Sequence, residues 1–363
     1  MRSERGRVVE VETLEEFDRR VASGATSMEG WHLQSLDLRD RGEALRALPA
    51  AGALFLGCTF TDGDEQSLRA RGALVFPRVP DVPFDAYRAS LYGPRELYDG
   101  LATSYDATRD ARVYAWSQQQ PTLDVTLAQA LHDHAIDNAL RDLVAGRDLV
   151  GVMGGHALPR GSAGYADAAR LGSALAGTGL LVTTGGGPGA MEAANLGAYL
   201  APYGRACLAE ALEVLATAPG FRPSVTDWAR AAFTVLDRWP EGGTSLGIPT
   251  WHYGHEPPNP FATDVAKYFK NAIREDILLH LCTRGIVFLP GAGGTVQEIF
   301  QDACENYYAD ASSLAPMVLV GRDYWTGEVP AWPLLRSLAD GRAMEKVVHL
   351  VDDLDEVPAL LSR

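Results

Sequence analysis

A strand–glycine–helix unit in the last third of this 363-residue chain sets a strong limit on its fold. The apolar run Gly285–Leu289 predicts a buried strand, which ends at Pro290 and a glycine-rich turn. Apolar residues then recur at helical spacing from Val296, which predicts a helix with Glu298 in its first turn. Such a turn presents free backbone N–H groups and the positive end of the helix dipole. The sequence therefore predicts a phosphate site here, with Glu298 facing the sugar beside the phosphate.

A second unit of the same kind lies earlier in the chain. Leu180–Thr184 predicts a strand, which is followed by Gly185-Gly186-Gly187-Pro188-Gly189 and a helix that opens near Met191. Either turn alone could be explained by the steric needs of a tight strand-to-helix connection. Two such turns, together with Glu298, favour a nucleotide that lies across a parallel sheet near the point where the strand order reverses.

Strand and helix patterns alternate from residue 147 onward, beginning with a strand at Leu149–Met153. This alternation predicts a Rossmann-like, doubly wound α/β domain over residues 147–363, with helices on both faces of a parallel sheet. Residues 1–146 carry an α/β pattern without a chemistry motif, which predicts an extension that acts as a lid, an oligomer contact or a regulatory layer. An insertion at Glu210–Trp239 is helical by composition, and Pro249–Pro260 reads as a ring-rich loop that walls a pocket. The strands predicted in the extension are Trp31–Leu38, Ala53–Cys58 and Ala73–Phe76.

Composition narrows the function classes. A formal net charge of −15 argues against broad contact with nucleic acid or anionic membrane, and favours a small-molecule partner. No run approaches the ~20 apolar residues that a membrane helix needs, and the N-terminus lacks the apolar core of a signal peptide. The four cysteines form no CxxC pair and are expected to be reduced, which predicts a cytoplasmic protein.

Several cofactor chemistries are disfavoured by the residues. No glycine turn is followed by Lys-Ser or Lys-Thr, which excludes a P-loop NTPase, and the chain offers only three lysines for a Schiff base with pyridoxal phosphate. The pairs His132/His134 and His252/His255 are poorly spaced for a metal and lack a completing ligand. We therefore expect no metal, and expect His252 and His255 to line the pocket.

A dinucleotide site is the main alternative that the residues themselves offer. Gly185–Ala190 fits the form G-x-G-x-x-A, and Glu210 follows a possible strand at Arg205–Leu208. This pattern would imply an NAD(P)-dependent oxidoreductase, but it leaves the Pro290 turn and Glu298 without a role. Arg274, on the helix predicted before the motif strand, could bind phosphate or could pair with its acidic neighbours.

At these residues the sequence resembles the LOG family, the Rossmann-like phosphoribohydrolases often mislabelled as lysine decarboxylases. The family motif P-G-G-x-G-T-x-x-E is found at Pro290–Glu298, with Ala292 at one glycine position, and the earlier glycine loop at Gly185–Met191. Glu275 stands where smaller members usually carry lysine. The insertion and the N-terminal extension make the chain more similar to the longer bacterial nucleotide 5′-monophosphate nucleosidases than to the short plant-type members.

The resemblance implies hydrolysis of the N-glycosidic bond of a nucleoside 5′-monophosphate, with AMP, GMP, a pyrimidine nucleotide or a cytokinin nucleotide as substrate. It implies a homodimer or larger homo-oligomer that needs no cofactor, and it assigns catalysis to Glu298 and Arg274. The alternative on the same fold is a non-catalytic carrier or sensor of a nucleotide or of the molybdenum cofactor. The binding residues that the resemblance implies are Gly185, Gly186, Gly187, Gly189, Met191, Gly291, Gly293, Gly294 and Thr295.

Overall fold

The computed structural model describes residues 8–252 and 256–361. The chain packs as two compact units, which are described separately. The first contains the chain up to Ser90 together with Gln119–Ala139, and the second contains Leu91–Gln118 together with the chain from Leu140. Residues 91–118 precede the boundary predicted at residue 146 and yet pack with the second unit.

The first unit is built around a four-stranded parallel sheet with strands in sequential order. Val11, Leu33 and Phe55 point to one face of this sheet and are fully buried, as the period of two in a strand requires. The predicted strands are confirmed in shorter form, and β1 and α1 were not predicted. The elements are β1 (Val9–Val11), α1 (Leu14–Ala22), β2 (Trp31–Gln34), α2 (Gly42–Ala47), β3 (Leu54–Leu56), α3 (Asp64–Ala70) and β4 (Leu74–Phe76).

The second unit contains a seven-stranded sheet in which every strand pair is parallel. Its strands are β5 (Leu149–Met153), β6 (Leu181–Thr184), β7 (Leu246–Gly247), β8 (Asp264–Val265), β9 (Ile286–Phe288), β10 (Met317–Val320) and β11 (Val348–Val351). The order is β11-β10-β9-β5-β6-β7-β8, so the chain leaves β5 in one direction and resumes with β9 on its other side. The predicted doubly wound α/β fold, with helices on both faces of the sheet, is confirmed.

Helices connect these strands, and the two that follow β5 and β6 approach each other closely. Gly172 and Gly197 lie inside these helices, and a methyl group at either position would collide with a backbone carbonyl of the other helix. Before β5 lie α4 (Pro94–Leu97), α5 (Arg109–Ser117) and α6 (Leu123–Val144), and the residues of α6 up to Ala139 belong to the first unit. The helices after β5 are α7 (Ala163–Gly177), α8 (Ala190–Leu200), α9 (Arg205–Ala216), α10 (Val225–Arg238), α11 (Asn271–His280), α12 (Gly293–Tyr308), α13 (Ala331–Ala339) and α14 (Val357–Leu361). In the described part of the chain, none of the helices has the length and apolar character needed to cross a membrane.

The possible strand of the dinucleotide alternative is a helix. Arg205–Leu208 forms the first turn of α9 after Gly204, whose φ of +83° ends the preceding turn. Leu208, Ala211 and Leu215 are buried at helical spacing, and this longer period overrides the short apolar run that suggested a strand. The insertion predicted to be helical is confirmed, because α9 and α10 occupy most of it.

Candidate functional site

A cleft of about 580 Å³ lies at the carboxyl ends of β5, β6 and β9, where the strand order reverses. In open parallel sheets this crevice is the usual place for a ligand. The loops that follow these three strands line it: Gly154–Leu158 after β5, the glycine turn after β6, and Pro290–Thr295 after β9. Both glycine turns singled out in the sequence therefore contribute to one cleft.

The N-terminus of α12 opens into this cleft. Ala292 occupies the N-cap position and its side chain cannot accept a hydrogen bond, so the first-turn N–H groups receive no cap from a side chain. Gly293 and Gly294 face open space, because a methyl group added to either would meet no atom within 4 Å. Thr295 is buried against Gly291 and anchors the turn. These features leave room for an anion at the positive end of the helix dipole.

The start of α12 corrects one prediction. The helix begins at Gly293 rather than near Val296, so Glu298 lies in the second turn and not in the first. The two glycines that read as part of the loop take up helical geometry, since glycine reaches that conformation without a steric penalty. Glu298 is consequently set back by about one turn from the uncapped N–H groups, farther from a bound phosphate than the sequence suggested.

The loop before α12 is held by hydrogen bonds from residues that follow the two neighbouring strands, β10 and β5. Tyr324 donates its hydroxyl hydrogen to the carbonyl oxygen of Gly291 at 2.9 Å, and the N–H of Gly155 donates to the carbonyl oxygen of Pro290 at 3.0 Å. Tyr324 lies just after β10, opens a π-helical turn at Tyr324–Glu328 and lines the cleft. Sequence reasoning missed this residue, although its position just beyond a predicted strand was a usable signal.

Glu298 and Arg274 both line the cleft, on α12 and α11 respectively. Burial raises the pKa of Glu298 from 4.5 to about 7, although the positive charge of Arg274 opposes this rise and Glu275 adds to it. The Nε atom of Arg274 is buried and has no hydrogen-bond partner among the residues that the structure describes. A carboxyl group that titrates near neutral pH thus lies beside a guanidinium whose donors are not all used.

The acidic neighbour of Arg274 is held by amide groups. Glu275 accepts hydrogen bonds from Asn271 and from Gln297, each at 2.7 Å. Gln297 lies on α12, so this contact joins the helix that carries Arg274 to the helix that carries Glu298. Glu275 therefore fixes the relation between the two site helices at the edge of the cleft.

The glycine turn after β6 divides into two sets of residues. Gly185, Gly187 and Met191 line the cleft, whereas Gly186 and Gly189 do not. Gly186 and Gly189 have φ values of +71° and +72°, which other residues rarely adopt. A side chain at Gly189 would also collide with the backbone of Gly155 and His156. These two glycines shape the turn, and the other three residues face the ligand space.

Two buried asparagines hold this turn from behind. Asn259 donates from its backbone to Gly186 O at 2.8 Å and from its side chain to Gly187 O at 3.1 Å. The same amide reaches Asn195 Oδ1 at 3.1 Å, which also accepts from the hydroxyl of Thr184 at 2.7 Å. Both asparagines are fully buried and were missed from the sequence, where only the polar amide of Asn195 inside an apolar helix was a signal.

Among the described histidines, His156 lines the cleft and follows β5. Its Nδ1 lies 3.4 Å from Oε1 of Glu256. His252 is exposed and does not line the cleft, contrary to the prediction, and His255 falls outside the described residues. The loop predicted to wall the pocket does so through Pro249, Thr250, Glu256 and Pro257. Over residues 8–252 and 256–361, no group of three or more metal-ligating side chains is found.

The structure weakens the dinucleotide alternative. Its acidic residue, Glu210, lies within α9 and pairs with Arg238 on α10. A carboxylate that binds a ribose hydroxyl in a dinucleotide fold should follow a strand, at the edge of the sheet that holds the ligand. Glu210 does not have this position, so the G-x-G-x-x-A pattern lacks the second half of its signature.

No protein-family model and no curated protein sequence matches this chain. Among solved structures, it is similar to the molybdenum cofactor binding protein from the phototrophic bacterium Rippkaea orientalis, with 17% identity, 59% of this chain and 95% of that chain covered, and a TM-score of 0.36. It is also similar to the molybdenum cofactor carrier protein from Chlamydomonas reinhardtii, with 19% identity, 60% and 99% of the two chains covered, and a TM-score of 0.37. At these scores the likenesses assign no function.

Proposed function

We propose that this protein binds a nucleoside 5′-monophosphate in the cleft and hydrolyses its N-glycosidic bond, giving free base and ribose 5-phosphate. The observation that carries the proposal is the carboxyl group of Glu298, with a pKa raised to about 7, beside Arg274 and one turn behind an uncapped helix N-terminus. This combination supplies an anion site and a proton acceptor in one cleft.

The phosphate would be held by the first-turn N–H groups of α12. These donors have no intrahelical partner, and Gly293 and Gly294 leave the space in front of them open. Arg274 can add a charge-assisted hydrogen bond to the phosphate or to a ribose hydroxyl, because its Nε has no partner among the described side chains and backbone groups. Binding energy from this remote group would position the sugar for reaction.

The chemistry would take place at C1′ of the ribose. Departure of the base gives the sugar oxocarbenium character, as in glycoside hydrolysis generally. In its ionised form, Glu298 can stabilise that positive charge or accept a proton from the attacking water. A pKa near 7 suits a general base at neutral pH, because about half of the groups are then ionised and the carboxylate is still basic enough to take the proton. Arg274 favours the ionised form and so keeps the carboxylate available.

A non-catalytic carrier of a phosphorylated ligand is the second candidate, and two of the similar structures are molybdenum cofactor proteins. An uncapped helix N-terminus would serve a carrier of a phosphorylated ligand equally well. Glu298 favours the enzyme: its burial destabilises the ionised carboxylate, and a protein that only holds a phosphate gains nothing from that cost. Hydrolysis therefore requires Glu298, whereas carriage of a phosphorylated ligand does not.

The test is incubation of the purified protein with AMP, GMP, CMP, UMP and a cytokinin nucleotide, followed by chromatography of the products. Free base together with ribose 5-phosphate is expected from the wild type and from Glu305→Gln, an exposed carboxylate on the same helix. Glu298→Gln should lose turnover and keep binding. Intact nucleotides that still bind in calorimetry would favour the carrier, and nucleotides that neither bind nor react would overturn both functions.

A further inference from the structure

A second cavity, of about 690 Å³, adjoins the cleft. The two share four lining residues, His156, Ala157, Leu158 and Glu256. The His156–Glu256 pair therefore stands on the common wall, and the two spaces are neighbours along the carboxyl edge of the sheet. The second cavity thus lies beside the cleft, on the side of the loop after β5.

The outer wall of the second cavity comes from the helical insertion. Pro219–Arg222, which joins α9 to α10, and Trp228 of α10 line it. The rings of Phe221 and Trp228 meet edge to face with 6.4 Å between their centroids. The guanidinium of Arg222 lies 5.8 Å from the Phe221 ring centroid, at the exposed rim. This part of the wall is thus made of aromatic rings and prolines, with one cation at the mouth.

The carboxylate in this wall is neutralised from behind. Glu192 is fully buried and accepts from Arg160 Nε at 3.1 and 3.2 Å. The same guanidinium lies 4.5 Å from the ring centroid of Trp228 and donates to the carbonyl oxygen of that residue at 2.8 Å. The buried charges therefore cancel, and the cavity offers a ring-lined surface that suits an uncharged flat group rather than an anion.

We propose that the second cavity binds the base of the nucleotide, and that the base is a purine. The cleft provides for an anion at α12 and Arg274, and the adjoining cavity provides for an uncharged aromatic ring, so the pair matches a ligand with one phosphate end and one heterocyclic end. A bicyclic ring covers more of the Phe221 ring than a pyrimidine does, and stacking on aromatic side chains is a general means of base binding. Trp228 is almost fully buried and contacts the Phe221 ring edge to face. This inference rests on the proposed function, and it gives the insertion a role in substrate choice.

The test compares three ligands by calorimetry in the full-length Glu298→Gln protein, in which the nucleotides stay intact. Phe221→Ala in this background should weaken AMP roughly tenfold, within the range expected for loss of one stacking ring. Ribose 5-phosphate has no base and occupies the cleft alone, so its affinity should not change. CMP should bind more weakly than AMP when Phe221 is present, and its affinity should fall by a smaller factor on Phe221→Ala. Phe233→Ala removes a ring from α10, the helix that follows the Phe221 segment, at a position outside the cavity, and should change none of the three affinities.

Two further variants guard against a loss of folding. Phe221→Leu keeps apolar bulk without the ring, and Arg222→Ala changes only an exposed side chain at the rim. Each substitution should lower the affinity for AMP and leave the affinity for ribose 5-phosphate unchanged. Unchanged AMP binding in all of these variants, or an equal loss for AMP and ribose 5-phosphate, would overturn the assignment of the second cavity. The hydrolysis assay is read separately: absence of turnover in the wild type defeats the proposed reaction, while selective loss of AMP binding would still establish the base site.

Discussion

The hydroxyl of Tyr324 and the carbonyl oxygen of Gly291 are joined by a 2.9 Å hydrogen bond across the carboxyl edge of the sheet. Tyr324 follows β10, and Gly291 lies in the loop between β9 and α12. The loop is thereby fixed from the β10 side, while the Gly155–Pro290 bond fixes it from the β5 side. A phosphate site made of backbone N–H groups depends on such supports, since the donors themselves have no side chain to adjust.

Tyr324→Phe tests this support. The ring is kept and one hydrogen bond is lost, which is worth about 1 kcal/mol or roughly a fivefold change in affinity. Calorimetry with ribose 5-phosphate should show that weakening, with little change in the thermal melting temperature. Tyr308→Phe is the matched control, because that side chain is 79% exposed at the end of α12. Equal affinities for the wild type and Tyr324→Phe would mean that the loop does not need this bond.

Two glycines of the glycine turns should respond to alanine in opposite ways. Gly189 has a φ of +72° and no room for a methyl group, so Gly189→Ala should destabilise the fold by more than about 2 kcal/mol. Gly294 lies in the first turn of α12 with nothing within 4 Å of an added methyl group. Gly294→Ala should therefore leave stability unchanged or raise it by up to about 1 kcal/mol, because alanine favours a helix.

Gly294→Ala should still lower the affinity for ribose 5-phosphate, because the methyl group would face the open space assigned to the phosphate. Urea denaturation and calorimetry with ribose 5-phosphate separate the two effects. A stable Gly294→Ala protein with undiminished affinity would place the phosphate elsewhere. An unaffected Gly189→Ala protein would show that the turn tolerates a different backbone path.

Local patterns were enough to predict the sheet and the elements that carry Glu298 and Arg274. Apolar runs that end in glycine mark buried parallel strands, and their carboxyl ends must share one edge of the sheet. The prediction that both turns meet at one cleft follows from this geometry. The exact start of α12 did not follow, because glycine is compatible with both a loop and a first helical turn.

The supports of the site were beyond the reach of local patterns. Tyr324 contacts Gly291 across 33 positions of sequence, and Asn259 contacts Gly187 across 72. No sequence spacing predicts either contact, because the relative position of distant loops is set by the packing of strands and helices. The same holds for Gly186 and Gly189, because a glycine run alone does not show which of its members take the positive φ values at which the backbone turns.

A buried ion pair within the second unit ties its early segment to the sheet. Nζ of Lys267 lies 2.5 Å from Oδ1 of Asp110, and both side chains are almost fully buried. Asp110 also accepts from Trp251 Nε1 at 2.8 Å and from the Tyr105 hydroxyl at 2.6 Å. This lysine is therefore part of a structural network, and it is not available for a Schiff base.

Removal of one partner of this pair should be costly. Lys267→Met leaves Asp110 as an uncompensated buried charge and should destabilise the protein by roughly 3–5 kcal/mol. Asp110→Asn combined with Lys267→Met removes both charges, so the double variant should lose clearly less than the sum of the single variants. Urea unfolding of the four proteins gives the coupling energy. Strictly additive losses would show that the two charges do not stabilise each other.

The raised pKa of Glu298 predicts a stability that depends on pH. The folded protein holds the Glu298 proton more tightly than the unfolded chain does, since the pKa is about 7 when folded and 4.5 as the reference value. The contribution of this group to stability is thus fully present below pH 4.5 and is lost as the pH rises through about 7. Above that range, the wild type carries a penalty on the order of 2–3 kcal/mol that a neutral amide avoids.

Glu298→Gln should accordingly be more stable than the wild type at pH 8, and the advantage should shrink toward pH 4.5, where the wild-type side chain is neutral in the folded protein. Urea unfolding at several pH values measures the difference directly. In the proposed reaction the ionised form is the active one, so wild-type kcat/KM should fall as the pH drops through about 7. A constant stability difference across this range, with a rate that falls only below pH 5, would show that Glu298 titrates like an exposed carboxylate and would remove the basis for its role as the base.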